Sequence, residues 1–197
     1  MPKGVPLTEE DLEVRRKQVF HASVHLFLEK GFQETSMQEI AEAAGMGKST
    51  LYDYFKTKDQ ILVSVLEDEI YDLTEQAKFI AGQDLPAAER LRQVVRVYSE
   101  YMLKQKDFYT KLMSEVERLG IDQLQNWQAL RHIYQDLLCR LIEQAIQDGT
   151  FRRVTPLLAA RIILSLQTPA IFTTRPTGTP EQMIDEAIDI FYRGVLA

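Results

Sequence analysis

The densest run of side chains able to engage another molecule lies at residues 35–58, TSMQEIAEAAGMGKSTLYDYFKTK. Lys48, Ser49, Thr50, Tyr52 and Tyr54 bring an ammonium, two hydroxyls and two phenol rings into two helical turns, with Lys58 just beyond. These are hydrogen-bond donors and flat rings, without the apolar stripe a buried helix would show. Such a face fits the major groove of DNA, with hydroxyls and Lys58 reaching phosphates on the rim. Asp53 is the exception. Its charge is repelled by the phosphate backbone unless it accepts from a base donor such as a cytosine amino group.

Other reactive chemistry has little support. No serine or cysteine stands in a nucleophile motif, and there is no phosphate-cradling glycine loop and no H-E-x-x-H. His21 and His25 have the i, i+4 spacing that can hold a divalent metal. No carboxylate or cysteine is fixed beside them, so two exposed histidines are expected and no metal site. Cys139, the single cysteine, sits beside Leu138 and Leu141 and reads as a small buried hydrophobe. An acid–base pair of His132 and Glu115 is the one enzymatic alternative, and the chain is expected not to be an enzyme and to need no cofactor.

The elements that must position the 35–58 face are helical. Hydrophobic spacing is helical nearly throughout, with no period-2 strand. The first helix opens at Thr8 with Asp11 and closes at Gly31, with Phe20, Val24, Phe27 and Leu28 as its inner stripe. Ser36 with Glu39 is a capping box, and Gly45 stops the second helix after about two turns. Ile40, Ala41 and Ala44 face inward there, small enough for close crossing by a third helix anchored through Leu51 and Phe55. Two short helices about a glycine turn fit a helix-turn-helix unit. Arg15-Arg16-Lys17 reads equally as a phosphate-contacting arm or as a solvated charge cluster.

Thr57 with Gln60 opens a long fourth helix running to Gly82. Further helices follow: one after Pro86, one from Asp107 to Gly120, one over about 122–148, one from Pro156 to about Phe172, and a last from Pro180 to about Leu196. That makes an all-α chain of about nine helices. Pro169 should kink or interrupt its helix, since it frees the carbonyl four residues back. No linker is long enough to separate two independent domains.

In the second half, aromatic and polar side chains intermix as a small-molecule cavity requires. Tyr98, Tyr101, Trp127, His132, Gln167 and Phe172 are the pocket candidates. The last two long helices carry more apolar surface than one core face needs. Leu166, Ile184, Ile188 and Phe191 are the expected contacts of a homodimer, which would bury the surplus in a two-fold four-helix bundle.

Composition bounds the reading. The 197 residues carry 23 basic and 29 acidic side chains, a net charge of −6, which argues against coating nucleic acid by bulk electrostatics but not against a local contact face. The first 60 residues hold 8 basic and 10 acidic residues and the rest hold 15 and 19, so no charge-split architecture appears. One cysteine suits a reducing compartment. The N-terminus lacks an apolar core and no run approaches a membrane span. A cytoplasmic protein with no membrane partner is expected.

Residues 15–70 resemble the TetR/AcrR family of transcriptional regulators. The resemblance rests on Phe27 with Glu29-Lys30-Gly31-Phe32, Thr35, Ile40-Ala41, Ala44-Gly45, Lys48, Thr50-Leu51-Tyr52, Tyr54-Phe55, Lys58 and Leu62. Two positions depart from it: many members have serine where this chain has Gly47, and glycine where it has Ser49. The resemblance implies a helix-turn-helix DNA-binding domain over 1–57 and a ligand-binding and dimerisation domain over 58–197. It implies phosphate contacts from Thr35, Ser36, Tyr52, Tyr54 and Lys58. Gly47, Lys48, Ser49 and Thr50 would sit where base and backbone contacts are made. A repressor is implied, released from a palindromic double-stranded operator by an unidentified small-molecule effector. The alternative is a helical protein–protein adaptor without DNA binding.

Overall fold

Hydroxyl caps and glycines set several helix boundaries in the computed structural model, which describes residues 8–197. Thr8 caps α1 (Glu9–Lys30) in a full capping box with Asp11, and Gly31 ends it with φ 94°. Ser36 and Glu39 form the same reciprocal box at α2 (Met37–Ala43). Gly45, at φ 68°, supplies the left-handed turn into α3 (Lys48–Tyr54). Beyond these lie α4 (Lys58–Ala81), α5 (Ala87–Lys104), α6 (Lys106–Arg118), a 3₁₀ turn η1 (Ile121–Leu124), and α7 (Gln125–Gln147). The chain ends with α8 (Pro156–Ser165), α9 (Thr168–Ile171) and α10 (Pro180–Val195), the last capped by Thr179 with Gln182.

The expected helices are thus present, with the eighth split after Ser165. The cause is Pro169, which has no N–H to offer the Ser165 carbonyl, so the chain restarts as the single turn α9. Among the described residues the one strand-like feature is an isolated antiparallel bridge between Phe151 and Leu196.

The packing forms two compact units. One runs up to Leu66 and includes Asp107–Leu124; the other comprises Glu67–Lys106 and Gln125–Ala197. A division at 57/58 follows sequence order, whereas packing adds 107–124 to the N-terminal unit. In that unit Phe27, Ile40, Leu51, Ile61 and Leu62 are sealed from solvent together with Leu112 of α6. The inner face of α1 is rotated from the expected stripe: Val19 and Ser23 are buried with Phe20 and Phe27, while Val24 and Leu28 are only half-buried. The Ser23 hydroxyl is satisfied by donating to the Val19 carbonyl at 2.7 Å, so a polar residue can occupy the core face. Polar contacts clamp α6 in place. Lys111 Nζ donates to the Leu28 carbonyl at 2.9 Å, and Gln33 Nε2 to Glu115 Oε2 at 2.7 Å.

In the second unit, Leu91, Val94 and Val95 of α5 pack with Leu138 and Ile142 of α7, Ala160 and Ile163 of α8 and Ile188 of α10. Arg90 binds the Ala81 carbonyl at 2.6 Å and Gln144 Oε1 at 2.9 Å, tying the C-terminus of α4 to α7. The Tyr192 hydroxyl donates to the Ala88 carbonyl at 2.5 Å and closes α10 onto α5.

Three expected interface residues are corrected by this packing. Ile184, Ile188 and Phe191 are 3%, 0% and 5% exposed and belong to the chain's own core, and Leu166 is half-buried. The apolar surplus on α8 and α10 sits one face away, on Leu157, Leu158, Ile162 and Ile190. A helix contributing one stripe to its own core presents the adjacent residues outward. On α10 the stronger apolar stripe is the inner one and Ile190 lies on the outer.

Candidate nucleic-acid interface and small-molecule cavity

The α2–turn–α3 segment is built around small buried residues. Ile40 and Ala41 are fully buried, which brings the two helices close, and Met46 N–H bonds back to the Ala41 carbonyl at 2.9 Å across the Gly45 turn. Gly47 caps α3 in an extended conformation (φ −69°, ψ 148°) without a side-chain bond. Leu51 and Phe55 then pin the helix to the core at 0% and 4% exposure. Phe55 meets Phe20 with ring centroids 6.0 Å apart, and the Arg16 guanidinium lies over both rings at 5.8 and 5.9 Å. Of the basic triplet in α1, Arg16 thus rests on these two rings while staying exposed to solvent.

With one side of α3 fixed, the other is determined by the 3.6-residue repeat. Lys48, Ser49 and Asp53 are exposed; Thr50, Tyr52 and Tyr54 are half-buried. Among the described residues, none of these six side chains forms a hydrogen bond or ion pair within the chain. Ser36 is exposed at the start of α2, its hydroxyl 2.8 Å from Glu39 Oε2.

Two residues expected at the interface have inward duties. Thr35 is 1% exposed, and its hydroxyl donates to the Gly31 carbonyl at 2.8 Å. It shapes the approach to α2 and does not face solvent, which corrects its expected phosphate contact. Lys58 Nζ donates to the Phe32 and Gln33 carbonyls at 2.7 and 3.0 Å and lies 4.9 Å from the Phe32 ring centre. It fastens the α1–α2 loop to the first residue of α4. Below the same loop, Lys30 and Glu39 form an ion pair. That bond and the Ser36 backbone N–H hold the Glu39 carboxyl at about 2.

The second unit contains a cavity of about 570 Å³ lined by Tyr98, Gln128, Arg131, His132, Gln135, Arg161, Leu164, Ser165 and Thr168. Of the six pocket candidates, Tyr98 and His132 line it. Trp127 lies behind it with the Arg131 guanidinium 4.8 Å over its ring. Gln167 is fully buried, donating to the Ile163 carbonyl at 3.3 Å and accepting from the Ser99 hydroxyl at 3.1 Å. Tyr101 is bonded to Glu69, and Phe172 packs on the core. These placements separate Trp127, Gln167, Tyr101 and Phe172 from the cavity wall. Arg131, Gln135 and Arg161 were missed. Gln128, Arg131, His132 and Gln135 follow i, i+3, i+4, i+7, a polar stripe on α7 that is visible in the sequence.

Two family models match successive stretches of the chain. The family model described as "Bacterial regulatory proteins, tetR family" matches residues 19–65. The one described as "Tetracyclin repressor-like, C-terminal domain" matches residues 84–195. The chain belongs to the TetR family. As a TetR-family protein it is a helix-turn-helix DNA-binding transcriptional regulator. It is 25% identical over 167 residues to the transcriptional repressor KstR2 of Rhodococcus jostii, covering 84% of this chain and 82% of that protein. The crystal structure of AibR in complex with isovaleryl coenzyme A and operator DNA superposes with a TM-score of 0.72 at 25% identity, over 90% of this chain and 98% of that one. FadR of Bacillus subtilis, solved with stearoyl-CoA, shares the fold at a TM-score of 0.77 and 19% identity, over 90% and 98% of the two chains. Among the described residues no helix of this TetR-family chain is long and apolar enough to cross a membrane.

Proposed function

We propose that this TetR-family chain is a cytoplasmic, homodimeric repressor whose α3 helices enter the major groove at the two halves of a palindromic operator. The observation that carries the reading is the α3 face: six polar side chains without a hydrogen-bond or ion-pair partner among the described residues, on a helix whose other side is sealed by Leu51 and Phe55. Lys48, Ser49 and Thr50 read or approach base edges, and Tyr52 and Tyr54 bond phosphates. Ser36 and the Gly47 backbone N–H meet the phosphate rim at the helix starts. Thr35 and Lys58 act behind them, holding the 31–36 loop that aims α2; the remaining N–H of Lys58 is left for a phosphate. The Asp53 carboxylate disfavours bases that present only acceptors.

Dimerisation sets the spacing. The exposed Leu158, Ile162 and Ile190 line an apolar groove of about 440 Å³ on α8 and α10, and the same groove on a second copy covers it by two-fold symmetry. Half-sites about 34 Å apart, or a multiple of that, follow from one helical turn of DNA. The effector is a small molecule bound at the Tyr98–His132 cavity. The isovaleryl coenzyme A held by AibR supports a metabolite in that role. Since α4 is one continuous helix shared by both units, it is the element through which effector binding acts on α3. The effector must bind the DNA-incompetent state more tightly, and the coupling equals that difference.

Fluorescence anisotropy with a duplex selected from genomic DNA tests this reading. Affinity should fall steeply with salt, and should fall in Lys48→Ala and Tyr52→Phe with the fold intact. A folded chain that binds duplex DNA no better than these variants would support the adaptor instead.

A further inference from the structure

The cavity on α7 and α8 has a charge pattern that defines what it holds. None of its nine lining residues is acidic, in a chain with 29 acidic side chains, and two are arginines from neighbouring helices. Seven of the other arginines are engaged within the chain. Arg96, Arg118 and Arg193 pair with carboxylates, Arg90 and Arg152 bind carbonyls, and Arg16 and Arg92 lie over rings. Arg131 and Arg161 have no carboxylate partner among the described residues, and both line this one cavity. Two like charges facing one concavity repel each other, an arrangement that an incoming anion reverses.

The remaining wall suits the same ligand. Stacking on Trp127 orders the Arg131 guanidinium while leaving its N–H edge open. Preorganisation of this kind lowers the entropy cost of binding. Tyr98, whose ring packs on Tyr134, adds a hydroxyl with no hydrogen-bond partner among the described residues; its burial raises the hydroxyl above its ordinary range, so it donates and does not ionise. Gln128, Gln135, His132 and Thr168 complete a wall rich in side-chain N–H and O–H donors.

We infer that this cavity binds the oxyanion of the effector, a carboxylate or a phosphate, through Arg131 and Arg161, with Tyr98 and His132 as further donors. The inference rests on the repressor reading above and names the effector's chemical class.

The test uses the full-length protein and its genomic operator. Isothermal titration is run with coenzyme A, isovaleryl coenzyme A and isovalerate as probes, followed by operator release for each. Binding of coenzyme A as well as its thioester identifies a phosphate as the anion, and binding of isovalerate alone identifies a carboxylate. Either result is expected to weaken about tenfold or more in Arg131→Gln and in Arg161→Gln, and to persist in Arg175→Gln, which removes an exposed charge elsewhere. Thermal unfolding of each variant separates loss of binding from loss of fold. Saturation by none of the anions, or full binding retained in both arginine variants, overturns the inference. Operator binding measured in the same samples fails only if the repressor reading itself is wrong.

Discussion

Arg118, at the end of α6, reaches Asp59 in the first turn of α4, with Nη2 2.6 Å from Oδ1, while its Nε lies 3.2 Å from Glu115. The Asp59 bond is the main cause of the raised Arg118 guanidinium, followed by that to Glu115. This is how a helix distant in sequence becomes part of the DNA-binding unit. The Arg118 side chain is 49% exposed, so the pair stabilises little by itself. A double-mutant cycle of Arg118→Gln with Asp59→Asn, read by chemical denaturation, should give a small favourable coupling that shrinks as salt is raised. A coupling near zero would leave the apolar contacts of Phe108, Leu112 and Val116 as what docks α6.

Leu51 and Lys48 occupy opposite sides of α3, and their variants should separate stability from recognition. Leu51→Ala removes a fully buried side chain and should cost about 2–5 kcal/mol in denaturant unfolding. Lys48→Ala should leave the unfolding midpoint within about 0.5 kcal/mol while weakening DNA binding. If Lys48 meets a phosphate, the slope of log affinity against log salt should fall by about 1; if it meets a base edge, discrimination among operator variants should fall instead.

The Lys30–Glu39 pair gives an acid signature. Glu39 is held at about 2, below its ordinary 4.5, chiefly by the Lys30 bond and then by the Ser36 N–H. A depressed carboxylate contributes stability that is present above its unfolded value and lost as pH falls toward the folded one. Wild type should therefore lose more stability than Glu39→Gln between about pH 4.5 and 2, and their unfolding curves should converge at the acid end. Parallel curves through that window would show that the pair and cap do not contribute to folding.

The outward face of α8 and α10 should control assembly without controlling the fold. Ile162 and Ile190 are 43% and 57% exposed, so Ile162→Glu and Ile190→Glu should yield folded monomers by analytical ultracentrifugation. Ile188→Ala should instead lower stability by about 2–5 kcal/mol, because Ile188 is a core residue. Dimers persisting in both glutamate variants would place the interface elsewhere.

Sequence and structure agree where local chemistry determines conformation. Thr8, Ser36 and Thr179 start helices because a hydroxyl bonds the N–H three residues on, and Gly31 and Gly45 end them because the turn needs positive φ. The outer face of α3 was legible for a similar reason: once Leu51 and Phe55 are inward, helical period decides the rest. What was not legible depended on partners distant in the chain. Thr35 was assigned outward because nothing local shows its hydroxyl turning to the Gly31 carbonyl. Both stripes of α10 are apolar, and only the positions of α5 and α8 decide that Ile188 is inside and Ile190 outside. Of the aromatic pocket candidates only Tyr98 lines the cavity, while Arg161 comes to Arg131 only through the packing of α8 against α7.

The most direct test of the central claim is to capture fragmented DNA from the source genome with the purified protein, without effector, and to sequence what is retained. The account predicts enrichment of a palindromic site upstream of an operon, lost when Lys48, Ser49 and Tyr52 are replaced together by alanine. No enrichment at low salt, from a protein shown to be folded and dimeric, would contradict it.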